Sequence, residues 1–181
     1  MKPAPFARTA ALSITLALTC ATAALPAAAK SVAEWQTITS QAKIPLEQAI
    51  TRAIQAVPGK AIEAQLDDGD GTGPRYEIEV ITPAGDSVEV WVNAITGQAA
   101  QHKNDGAAKR KDRQRLEKAK STIEQAIQAA TRHTPGTPVS AELDSHWGQT
   151  SYQVEVLQTN GTLMEVKIDA VGGEVIRAKK D

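Results

Sequence analysis

From Leu46 the apolar residues recur with a helical period. Leu46, Ala49, Ile50, Ala53, Ile54 and Val57 share one face. Ile44-Pro45-Leu46-Glu47 opens this helix, because a first-turn N–H has no partner for proline to remove. Pro58-Gly59 closes it, with Gly expected to take the positive φ of a C-terminal cap. The period then becomes two. Ile62, Ala64 and Leu66 alternate with polar residues, and Asp67 to Gly73 is a polar, Gly-rich loop. Tyr76, Ile78 and Val80 alternate with Glu77 and Glu79, and Pro83-Ala84-Gly85 turns the chain. Val88, Val90 and Val92 follow, opposite Glu89 and Trp91, and Ala94 to Gly97 is a second turn, with a short extension over Gln98–Gln101. The pattern predicts one helix laid on the apolar face of an antiparallel meander.

The same pattern comes round again. Ser121 with Glu124 has capping-box spacing, and Ile123, Ala126, Ile127 and Ala130 repeat the helical face. Pro135-Gly136 repeats Pro58-Gly59, and Val139, Ala141 and Leu143 repeat the first strand. Tyr152 to Gly173 echoes Tyr76 to Gly97 at a constant offset of 76 residues, with Glu79/Glu155, Val80/Val156, Gly85/Gly161, Glu89/Glu165, Ala94/Ala170 and Gly97/Gly173 in step. Asp144 to Thr150 is the loop counterpart of Asp67 to Gly73, Asn160-Gly161 is a hairpin turn, and Glu174 to Arg177 supplies a last strand. Between the copies, Lys103 to Lys120 carries eight basic and three acidic residues. Asn104-Asp105-Gly106 breaks the chain there, and helix-favouring residues dominate from Ala107. Val32, Trp35 and Ile38 fall at helical spacing in an arm ahead of the first copy.

The predicted class is therefore α+β: two tandem repeats, each a helix packed on an antiparallel three- to four-stranded meander, joined by a charged connector helix. The expected boundaries are an arm or short helix over 30–42, a first repeat over 43–102, a basic connector helix over 103–120 and a second repeat over 121–181. Whether the repeats make one domain or two stays open at this point.

The first 29 residues have a different character. Lys2 and Arg8 precede the uncharged, apolar run Ala10–Leu25, and Ala27-Ala28-Ala29 supplies a small-residue cleavage signal. This is the three-part pattern of a secretory signal peptide, so cleavage is expected after Ala29 and the mature chain in the periplasm or outside the cell. An uncleaved anchor is the alternative, but the run is short and rich in Ala and Thr for a span. Cys20 lies within this leader, so thiol and disulfide chemistry leave with it. Of the 20 basic residues 18 then remain against 21 acidic ones, a net charge of −3 that gives no footprint for nucleic acid. No transmembrane segment is expected in the mature chain. With aromatics at 3%, the core must be built from Val, Ile, Leu and Ala.

Few residues suggest chemistry. Asp68, Asp70 and Thr72, with Glu79 in twelfth place, match the spacing of a calcium loop. Arg75 stands where an apolar anchor belongs, and the exit reads as strand, so a solvated acidic loop is the preferred reading. His102, His133 and His146 are too scattered for a metal site, and His133 suits a helix C-terminus. No Ser/His/Asp order, Gly-x-Ser-x-Gly elbow or phosphate-binding loop is present. Glu77, Glu79 and Glu89 are expected on a solvated outer strand face. No enzyme, cofactor or metal is expected. Trp91, expected to cover the other repeat or the connector, and Trp147, in a loop, join Asp68 and Asp70 as candidates for a partner surface. The basic connector reads as a solvated helix or one docked on the acidic repeats; binding to anionic lipid or a partner is the minor alternative, because the connector lacks an apolar face.

The repeat resembles the PepSY domain of peptidase propeptides and secreted bacterial proteins. The resemblance rests on Leu46-Glu47-Gln48-Ala49-Ile50, Pro58-Gly59, Tyr76-x-Ile78-Glu79-Val80, Gly85 and Val90-x-Val92-Asn93-Ala94-x-Thr96-Gly97, and on the corresponding stretches from Ile123 to Gly173. It implies a helix on an antiparallel sheet, no catalytic residues, and a protein partner, with inhibition or regulation of a peptidase as the role. A small-ligand or metal-ion sensor of the envelope is the second reading, motivated by the acidic loop.

Overall fold

The computed structural model describes residues 30–181; the expected signal peptide lies outside the described residues. The elements run α1 (Val32–Gln41), α2 (Leu46–Ala56), β1 (Lys60–Asp67), β2 (Arg75–Ile81), β3 (Asp86–Asn93), β4 (Ala99–Ala107), α3 (Arg110–Lys118), α4 (Ile123–His133), β5 (Thr137–His146), β6 (Gln149–Leu157), β7 (Leu163–Asp169) and β8 (Val175–Lys180). The eight strands form one antiparallel sheet in the order β4-β3-β2-β1-β5-β6-β7-β8. The fold is α+β with two repeat-like halves, and the halves are fused edge to edge through β1 and β5.

The fusion is nearly symmetric. Ala64 pairs with Ala141, its own counterpart, and Glu63 pairs with Glu142 while Gln65 pairs with Ser140. A pseudo-twofold axis thus passes between the two alanines. Helices α2 and α4 cover one face of the sheet, each touching the other unit's first strand and each other at the seam. Ile78, Val80, Val90 and Val92 from one half, and Val139, Val154, Val156 and Ile168 from the other, are fully buried in one continuous core. Full burial of such side chains stabilises by about 1.5–3 kcal/mol each before the entropy of ordering is set against it.

Several local expectations change. Asn104-Asp105-Gly106 is no break: β4 continues to Ala107, paired with β3 as far as Asp86 through two irregularities in register. The connector helix begins only at Arg110. Asp144 to Thr150 is no loop either, because β5 runs to His146 and β6 begins at Gln149, leaving Trp147-Gly148 as a tight turn. The cap of α4 is Thr122, in a reciprocal box with Gln125; Ser121 Oγ instead donates to the Ala170 carbonyl at 2.9 Å. Gly59 and Gly136 do not have positive φ. They are glycine because the neighbouring strand passes so close: a Cβ on Gly136 would sit 2.5 Å from the Leu157 carbonyl oxygen and 2.8 Å from Val156 Cγ1.

The likeness of the two halves extends ahead of their core helices. Of the two expectations for 30–42 the short helix is observed, and this helix, α1, corresponds to α3. After α1, the Lys43 and Ile44 N–H groups donate to the Ala94 carbonyl; after α3, those of Lys120 and Ser121 donate to the Ala170 carbonyl. Both helices lie toward the face opposite α2 and α4. In α1 the inward residues are Trp35 and Ile38, whereas their counterparts in α3 are Asp112 and Arg115. One leading helix docks by apolar burial, the other through an ion pair of Arg115 with Asp112 and Asp144.

Candidate functional site

The sheet face away from α2 and α4 is built from the alternate strand residues. Lys103, Glu89, Glu79, Glu63 and Glu142 occupy directly paired positions on β4, β3, β2, β1 and β5. Gln65, Ser140, Glu155, Glu165 and Lys179 form a second row on β1, β5, β6, β7 and β8. A depression of about 260 Å³ lies over the seam, lined by Glu63, Gln65, Ser140, Glu142, Gln153 and Glu155.

The expectation that Glu77, Glu79 and Glu89 are simply solvated does not hold. Ser87 Oγ donates to Glu79 at 2.5 Å, the Trp91 indole N–H donates to Glu89 at 2.6 Å, and Arg75 Nε donates to Glu77 at 2.8 Å. At the seam, burial raises the Glu63 carboxyl above its ordinary value, and the carboxylates of Glu142, Glu79 and Asp112 push it further. Burial also raises Glu142 and Glu155, with Asp144 adding to the first.

Trp91 lies on this face and covers neither the other repeat nor the connector. It stacks on His102 of β4, with centroids 3.4 Å apart, and carries the Arg75 guanidinium of β2 at 4.0 Å. Arg75 also reaches Asp67 at 3.4 Å, Asp70 at 3.5 Å and Glu77 at 2.7 Å. The loop folds on itself: Asp67 accepts from the Gly69 N–H and Asp68 from the Asp70 N–H. Burial alone would raise the Asp67 carboxyl, but the Gly69 N–H, Lys30 and Arg75 outweigh it and hold it below its ordinary value. Glu79 lies within β2, so the calcium-loop spacing has no ligand at its twelfth place. Among the described residues no three His, Cys, Asp or Glu side chains gather as a metal site.

Asp70 and Trp91 therefore come together around Arg75, at the end of the sheet where β1 finishes, while Asp68 stays in the loop and touches only the Asp70 N–H among these groups. Trp147 does not join them. β5 runs antiparallel to β1, so its hairpin tip projects from the opposite end of the sheet. Trp147 is 94% exposed and has φ of +50°. The hub role of Arg75 and the stacking of His102 were not foreseen; the signal for them is that Arg75 and Trp91 sit on strands of one meander with like-facing parity. His133 does end α4, with Nδ1 3.0 Å from Thr134 Oγ1.

Comparison with known proteins matches the architecture. The family described as "Peptidase propeptide and YPEB domain", PepSY, matches residues 43–99 and again residues 120–179. The chain belongs to the PepSY family. Both PepSY segments begin just after a leading helix, at Lys43 and at Lys120, the residues that donate to Ala94 and Ala170. YkoJ of Bacillus subtilis (strain 168), an uncharacterised protein, is 31% identical over 106 residues, 59% of this chain and 57% of YkoJ. The chain thus spans little more than half the length of that relative. A crystal structure from Clostridium difficile 630, of a protein assigned as a lipoprotein, aligns with a TM-score of 0.44 at 17% identity, over 77% of this chain and 94% of that one. No helix among the described residues is long and apolar enough to cross a membrane.

Proposed function

We propose that this PepSY protein is a non-catalytic binding protein of the bacterial envelope, periplasmic or secreted once residues 1–29 are removed, that restrains a peptidase. The observation that carries the reading is the double match to a family described by its occurrence in peptidase propeptides. The shared sheet supports it, because two fused units leave the Arg75 end of the sheet face beside α1 and α3 open to a partner. The Arg75–Trp91–His102 stack, with Asp70 beside it and Asp68 next to Asp70 in the loop, is the contact proposed for that partner: an aromatic and an arginine held in place by their neighbours lose little freedom on binding.

The test is inhibition. The mature chain is titrated into a panel of envelope peptidases, and slowed hydrolysis by at least one, weakened by Trp91→Ala, is the expected result. No inhibition across the panel, together with a rise in melting temperature on adding small ligands or divalent ions, favours the alternative of a small-ligand or metal-ion sensor. In the structure the Asp67 and Asp70 carboxylates are already turned to Arg75, which favours the protein-binding reading.

A further inference from the structure

Folding does not account for Trp147. It is 94% exposed in a two-residue hairpin turn with φ of +50°, a conformation that suits Asn or Gly and strains a bulky side chain. Its aromatic contact is the edge of His146, with centroids 5.6 Å apart. The base of this hairpin is pinned to α3, since Arg115 donates to Ser145 Oγ at 3.3 Å and pairs with Asp144. Lys111 and Lys118, four residues before and three after Arg115, fall on the same helical stripe and are exposed. Among the described residues neither makes an ion pair; of the acids nearby, Asp112 and Asp144 pair with Arg115 and Glu165 with Arg177 and Lys179, while Glu117 of α3 and Glu142, on whose carboxyl Lys111 exerts a lowering pull, make none. On the other flank a hollow holds His146, Lys167 and the exposed Ile176. A basic helix alone has attraction for an anionic surface but nothing to insert into it. The fold supplies the missing apolar element beside that helix.

We propose that the β5–β6 hairpin tip and α3 seat the protein on the anionic face of a phospholipid bilayer. Trp147 enters the headgroup layer, where indole rings are favoured, and Lys111 and Lys118 lie against acidic headgroups. This goes beyond the peptidase reading and does not depend on it: the Trp91 face lies at the other end of the sheet.

Co-sedimentation of the mature chain with phosphatidylcholine vesicles, with and without phosphatidylglycerol, tests it at low ionic strength. Binding is expected with phosphatidylglycerol, and a loss of it at high salt. Trp147→Asn is expected to weaken binding about tenfold while its melting temperature stays at or above wild type, because Asn suits the positive φ. The pair Lys111→Gln and Lys118→Gln is expected to weaken it several-fold. Three results overturn the proposal: no binding to phosphatidylglycerol vesicles, equal binding to pure phosphatidylcholine, or undiminished binding by Trp147→Asn. Shielding of Trp147 from acrylamide by an envelope protein and not by vesicles also overturns it, and assigns the tip to a protein partner.

Discussion

Ala64 of β1 lies directly opposite Ala141 of β5, and each is the other's counterpart in the duplicated unit. Both are fully buried where α2 and α4 meet over the seam. A side chain no larger than a methyl group lets both helices reach across to the other unit's first strand. Ala141→Leu is therefore expected to over-pack this junction and destabilise by about 1–3 kcal/mol. Because the core is continuous across the seam, urea unfolding of the wild type is expected as one transition when followed both by far-UV dichroism and by Trp fluorescence. Two separated transitions would show that the halves fold as independent domains.

Glu63 and Glu142 face each other one position from that axis, and both carboxyls are raised by burial. A raised carboxyl binds its proton more tightly in the folded state, so stability falls as pH climbs from the ordinary value of 4.5 through the folded one. Glu63→Gln removes this loss. It is expected to gain about 0.5 kcal/mol at pH 7, the scale of a like-charge cross-strand pair, and to gain nothing at pH 4. Melting curves at the two pH values check this; an equal gain at both would mean that packing, not charge, sets the effect.

Tyr76 and Tyr152 perform one task twice. Each donates its hydroxyl to a carbonyl at the start of its unit's core helix, Tyr76 to Ile44 at 2.7 Å and Tyr152 to Ser121 at 2.8 Å. Each substitution to Phe is expected to cost about 1 kcal/mol, and the two should add, since they share no partner. Burial, with Glu47 or Glu124 adding to it, pushes both phenols up to about 12. Their contribution is complete below the ordinary value of 10.0 and is lost as pH rises toward 12. Tyrosinate absorbance should therefore appear together with alkaline unfolding. Ionisation near pH 10 in the folded protein would refute the buried hydrogen bonds.

The strand and core-helix pattern was legible because deep burial is one-sided in β1 to β3 and β5 to β7: apolar residues alternate with polar ones, and the tyrosines and glycines recur in step. Three parts were not. The continuation of β4 past Gln101 was hidden because it is an edge strand with no buried residue, so Lys103 to Gly106 carries no apolar alternation. The equivalence of α1 and α3 was hidden because Trp35 and Ile38 became Asp112 and Arg115, a change from apolar to ionic docking that erases the similarity. The seam was hidden because Ala64 and Ala141 look like any small inward residue until β1 and β5 are paired. Of the candidate surface, the loop acids and Trp91 converge only through Arg75, whose sign was noted and whose reach across β3 was not readable.

Gly59 and Gly136 give the last prediction. At neither position is φ positive, so an alanine would not be strained in its backbone. It would instead collide with the end of the neighbouring strand, the Ile81 carbonyl at the first position and the Leu157 carbonyl at the second. Backbone held in a central ladder cannot swing aside as a flexible side chain can. Gly136→Ala is therefore expected to cost about 2–3 kcal/mol, at the upper end for over-packing. Gly85→Ala is the contrast, since φ there is +88° but a Cβ would meet nothing within 4 Å. That substitution should cost about 1 kcal/mol, the left-handed strain alone. Urea midpoints for the two variants decide between them. If Gly85→Ala proves the more damaging, close approach is not what holds glycine at the helix-to-strand joint.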